Sequence, residues 1–198
     1  MPKYHMPNNF RIWLAITGAS TLVIGAAYVM VQQSTRLAAD DLPLATAQTV
    51  KAELESGSAP SDVVPSRTTD LKTNDNVFVI VTDNSRHVLA SSASLDGQTP
   101  LPPSGVFDYT AASGTDHFTW QPETGVREAT RVMTYSKDAS SGFIITGQSL
   151  RQVENREDIY TEMAVAAWFA VLVWTYLTLL LPKAASPAPA PKNQKKKK

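Results

Sequence analysis

Two arginines, Arg127 and Arg131, stand four residues apart in a run of alternating side chains from Val126 to Tyr135. With a side-chain period of two, they share one strand face with Ala129, Met133 and Tyr135. Val126, Glu128, Thr130, Val132 and Thr134 take the other face. Planar guanidinium forks match a carboxylate, so the arginine face, with Trp120 and Tyr109 expected beside it, is a candidate grip for a small anionic ligand. The competing expectation is a solvated face whose arginines pair with neighbouring acids.

Other chemistry finds little footing. The chain has no cysteine, which excludes disulfides, a cysteine nucleophile and thiolate metal sites. His87 and His117 lie far apart, and Asp70, Asp75, Asp83 and Asp96 do not follow the calcium-loop spacing. The sequence holds no serine elbow, phosphate-binding glycine loop or zinc helix motif. No catalytic residue, cofactor or metal ion is implied, and the expected protein is not an enzyme. Lys192, Lys195, Lys196, Lys197 and Lys198 follow an alternating Pro/Ala stretch, an extended spacer with a cationic tip. Such a tip suits an anionic membrane surface or a topology determinant. No aromatic residue interleaves these lysines, so nucleic acid is not an expected partner.

The elements that must position these residues begin with two uncharged stretches. Ile12 to Val31 and Met163 to Leu181 hold 20 and 19 residues, enough at ~1.5 Å per residue to cross a ~30 Å hydrocarbon core. The chain is neutral overall, with 18 basic and 18 acidic residues, but residues 32–162 carry every acid and only ten of the bases. Lys3, Arg11, Lys183 and the tail lysines lie outside both apolar stretches, which predicts cytoplasmic termini and an extracytoplasmic middle. A cleaved signal peptide is the rival for the first stretch. The small-x-small site at Ala45-Thr46-Ala47 lies well beyond the apolar run, which favours an uncleaved anchor. The expected organisation is a leader over 1–11, a transmembrane helix over 12–31, a domain over 32–162, a second transmembrane helix over 163–181 and a tail over 182–198. Gly18, Thr21 and Gly25 on the first helix, and Ala166 with Ala170 on the second, permit close helix approach within the chain or in a homodimer.

Within the middle segment, Leu44, Ala47, Val50 and Leu54 recur at helical spacing, with Pro43 near the start and Gly57 past the end. Residues 56–76 read as a loop. The β-branched run Val77–Thr82 reads as a strand buried on both faces, returning through His87–Ser91. A short helix over Gly105–Ala112 follows, then strands over Asp116–Gln121, Val126–Tyr135 and Gly142–Gln148. Ser149 with Gln152 fits a capping box that opens a helix running into the second apolar stretch. Five strands in this order predict an α+β domain with an antiparallel sheet.

The order span, helix, two strands, short helix, three strands, helix, span resembles the extracytoplasmic PAS-like (Cache-type) sensor domains of bacterial two-span receptors such as sensor histidine kinases. Supporting pieces are Phe78 to Ser92, Pro102-Pro103-Ser104-Gly105-Val106-Phe107, and Gly142-Phe143-Ile144-Ile145 leading to Ser149-Leu150-Arg151. The resemblance implies a ligand on the sheet face covered by the short helix. It departs from the receptor pattern after Leu181, where the Pro/Ala/Lys-rich residues predict no cytoplasmic output domain. The expected protein is therefore a membrane-anchored sensory or ligand-binding module that acts through a membrane partner or a homodimer. The alternative is an accessory subunit of a membrane or envelope assembly.

Overall fold

The computed structural model describes residues 8–138 and 140–180. The first helix, α1, runs Asn8–Ser56 and continues through Pro43. It is followed by the single turn α2 (Pro60–Val63) and by β1 (Thr69–Asp70), β2 (Phe78–Asp83), β3 (Val88–Ser91) and β4 (Ala93–Ser94). Then come α3 (Ser104–Ser113), β5 (Thr115–Glu123), β6 (Val126–Lys137), β7 (Ser140–Ser149) and α4 (Arg151–Leu180). Residues 27–162 form one compact unit, and the described residues on either side of them form another.

The larger unit is built on a five-stranded antiparallel sheet in the order β3-β2-β7-β6-β5. The fold class is α+β. β2 is an interior strand, and its residues Phe78 to Thr82 are buried on both faces, as an unbroken apolar run requires. Pairing Phe78 with Gly147, Ile80 with Ile145 and Val132 with Ile145 puts these side chains on one face. There they form a core with Leu71, Phe107, Trp120 and Phe143 beneath α3. The alternate residues Val79, Val81, Ile144 and Tyr135 form a second core against Ala47, Val50 and Leu54 of α1. The helical spacing read from 44 to 54 is thus the packing stripe of α1.

Three local readings change. Residues 56–76 hold α2 and β1 rather than loop alone, and β1 pairs in parallel with β4 through Thr69–Ala93 and Asp70–Ser94. Two-residue strands carry no periodicity to read. β5 extends through Pro122 because the register slips between Trp120 and Glu123, an irregularity on an edge strand where a missing N–H is tolerated. The turn then narrows to Thr124-Gly125, with Gly125 at φ 83°. The capping box does not form. Ser149 Oγ accepts from the Arg151 N–H at 3.3 Å, and the Gln152 amide donates to Asp75 Oδ2 at 3.1 Å.

Helices α1 and α4 are each long and apolar enough to cross a membrane. Within the smaller unit, side chains of the two helices meet. Trp13 Nε1 donates to Thr175 Oγ1 at 3.1 Å and Trp168 Nε1 donates to Thr21 Oγ1 at 2.8 Å. A Cβ added at Gly18 or Gly25 would meet nothing within 4 Å, so these glycines make no close approach within the chain. The tryptophan–threonine hydrogen bonds join the two segments instead.

Candidate functional site

On the α1 side of the sheet, α1 covers β2 and β7 but leaves part of β5 and β6 open. A cleft of about 550 Å³ opens there, walled by Arg36, Ala39 and Asp40 of α1, by the β5–β6 edge, and by the first turns of α4 with Leu150. His117, Thr119, Arg127 and Ala129 project from the strands because they alternate onto this face. Val153, Glu154, Glu157 and Asp158 supply the α4 wall. Asp40, Glu154, Glu157 and Asp158 face Arg36 and Arg127, so the lining is mixed in sign with acids in excess.

Three ion pairs hold this cleft. Arg127 is bound to Glu154, Arg131 to Asp40, and Arg36 Nε donates to Glu157 Oε1 at 3.0 Å. Together they link β6 to both helices and the helices to each other. Arg131 is the most enclosed of the three arginines, and its Nε has no hydrogen-bond partner. The Leu150 N–H donates to the Arg127 carbonyl at 2.9 Å, which fixes the start of α4 against β6.

Of the residues singled out from sequence, Arg127, Arg131 and Tyr135 do share a face. Trp120 does not join them. It pairs with Glu128 and lies buried on the α3 side, 6.3 Å from the Phe78 ring centroid. The grouping of Trp120 with the two arginines is therefore corrected, because cross-strand partners share a face and Trp120 falls one residue out of phase with them. Tyr109 is exposed on α3 and is not brought to the arginines either. Tyr135 is buried, its hydroxyl donating to the Thr82 carbonyl at 3.2 Å, and burial pushes its phenol up from the ordinary value. His117 reaches the cleft, while His87 lies against Asp83 at 3.2 Å. Among the described residues no three His, Cys, Asp or Glu side chains cluster as a metal would require. The lysines assigned to the membrane surface, Lys192, Lys195, Lys196, Lys197 and Lys198, lie outside the described residues.

The residue missed is Glu128. It is 1% exposed on the α3 side, directly between Trp120 and Ser149 across the sheet. One carboxyl oxygen, Oε1, has no hydrogen-bond partner. Burial pushes the acid up to about 8, opposed by the charge of Arg151 and reinforced by Asp75. The signal was present in the alternation, which set one acid among Val126, Thr130 and Val132.

Comparison with known proteins finds no match: no family model, no curated protein and no solved structure matches this chain.

Proposed function

We propose that the chain is a membrane-anchored, extracytoplasmic sensory module of the PAS-like (Cache-type) kind, which binds a small ligand and acts through a partner or a second copy. The observation that carries this reading is the cleft in which both helices meet the sheet through Asp40–Arg131, Arg127–Glu154 and Arg36–Glu157. It lies on the face away from α3, because the α3-covered face, where the resemblance implied a ligand, is filled by the core of Phe78, Phe107 and Trp120. A ligand that competes for these pairs has a differential affinity for two arrangements of the helices, which is what a sensor needs. The element order and the acid-free, base-bearing ends support the same reading. Because each cleft arginine already has an acidic partner and acids outnumber bases, a zwitterion such as an amino acid fits better than a simple carboxylate. It carries one group for each sign.

The test is a thermal-shift screen of the full chain in mild detergent against amino acids, amines and small organic acids. A ligand at 100 times its dissociation constant should stabilise the fold by about 2.7 kcal/mol. R127A should weaken that ligand by about 1.5–3 kcal/mol. The same substitution should change stability by only ~0.2–1 kcal/mol, since the Arg127–Glu154 pair is solvent-accessible. No stabilising compound, or a ligand indifferent to R127A, argues against the cleft as a sensory site.

The membrane arrangement has its own test. Cysteines placed singly at Ser85 and Ser186 of this cysteine-free chain should differ in labelling by an impermeant thiol reagent on intact cells. Ser85 should react and Ser186 should not. The opposite pattern reverses the topology.

One observation favours the accessory-subunit reading. β3 is an edge strand, and Val88 and Leu89 are exposed on it. An open strand edge with apolar side chains is a template for pairing with another chain. Recovery of one stoichiometric membrane partner that V88K/L89K abolishes, with no ligand found, would select this reading.

A further inference from the structure

Glu128 lies in an unusual setting for an acid. Trp120 and Ser149 flank it on the neighbouring strands, and Phe78, Leu71 and Val126 belong to the same core. Its Oε1 has no partner, so an ionised carboxylate here lacks both water and a hydrogen-bond donor at that atom. The charged groups acting on it come from two other elements, Arg151 in the first turn of α4 and Asp75 in the segment before β2. β5 and β7 present Trp120 and Ser149 opposite it, and α3 turns Phe107 and Thr110 inward, none of them titrating. Arg151 meanwhile lies 3.4 Å from Asp75 Oδ1, and Gln152 holds Asp75 Oδ2. The same aspartate thus anchors the first turn of α4 to the rest of the domain.

We propose that Glu128 is a proton-operated switch at the root of α4: neutral, it fills the core, and on losing its proton to solvent it draws Arg151 from Asp75 and shifts the first turn of α4. Three features make the site responsive. The acid is enclosed, the cation acting on it is engaged elsewhere, and that cation sits on the helix that leaves the domain. Burial keeps the proton on through neutral pH, where an exposed glutamate is fully ionised, so the switch operates in mildly alkaline surroundings. This inference concerns the domain alone and holds whichever partner or ligand the cleft serves.

The experiment places spin labels on cysteines introduced at Ser85 and Asn155, both exposed, in the full chain in detergent. The distance between them is followed as pH is raised from neutral into the alkaline range. The expected result is a change in the distance distribution with a midpoint near 8 that is absent in E128Q. D75N should move the midpoint down by about half a pH unit or more, because it removes a repelling charge, and R151Q should abolish the distance change, because it removes the cation that the ionised Glu128 draws. These two variants keep the test decisive if E128Q does not fold. A wild-type distance that does not change with pH overturns the proposal. So does a change that persists in E128Q or in R151Q, or a midpoint that D75N does not move.

Discussion

Between about pH 5 and about pH 8 the folded protein should lose about 4 kcal/mol of stability that E128Q does not lose. Glu128 has a folded-state value raised to about 8, against an ordinary carboxyl near 4.3 in the unfolded chain. Over that interval the folded state holds a proton that the unfolded state has released. Stability therefore falls as pH rises, is fully present below the unfolded value, and becomes flat again above the folded one. Glu55 and Asp83 work in the opposite sense. The Lys51 ammonium lowers the Glu55 carboxyl and the His87 backbone N–H lowers Asp83, so both add stability as pH rises through the ordinary carboxylate range, below this window. Denaturant unfolding of wild type and E128Q at several pH values isolates the single acid. Parallel curves for the two proteins across the window would show that Glu128 ionises at an ordinary value.

F78A should destabilise the larger unit by about 3–5 kcal/mol, the usual loss for truncating a buried aromatic side chain. Phe78 is fully buried, and its ring is a joint of the α3-side core rather than one contact among many. It fills the space over Gly147, where a Cβ would stand 2.5 Å from the ring, and it meets Trp120 at a tilt of 58°. Removing the ring leaves glycine beneath it, so position 147 offers no side chain to fill the void. G147A strains the same contact from the other side and should cost about 1–3 kcal/mol, the range for overpacking. Equilibrium unfolding by urea, followed by tryptophan fluorescence, measures both. A loss under about 1 kcal/mol for F78A would mean that this core is not packed as described.

The α+β architecture with its two long apolar helices was legible in the sequence, because the long elements carry a strong one-dimensional period. Val77 to Val81 is an uninterrupted apolar run, and Phe78 to Thr82 became the part of an interior strand that is buried on both faces. The spacing of Ala47, Val50 and Leu54 marked the stripe that α1 lays on the sheet. Alternation from Val126 to Tyr135 also placed Arg127, Arg131 and Tyr135 together correctly, since strand period is a local property of the backbone. What alternation cannot state is which of two sheet faces meets which face of a neighbouring strand. That depends on register, and the pairing of Trp120 with Glu128 put the tryptophan on the side away from the arginines. Register likewise set Glu128, one residue out of phase with Arg127, between Trp120 and Ser149. The ion pairs Asp40–Arg131 and Arg127–Glu154 join residues 91 and 27 positions apart. Only the closing of α1 and α4 around the sheet brings those charges within reach, and Coulomb attraction depends on distance in space, not along the chain. The sequence determined what each strand face and helix stripe carries. The tertiary structure decided which of those charges are paired and which carboxyl oxygen is buried without a hydrogen-bond partner, because both depend on distance in space.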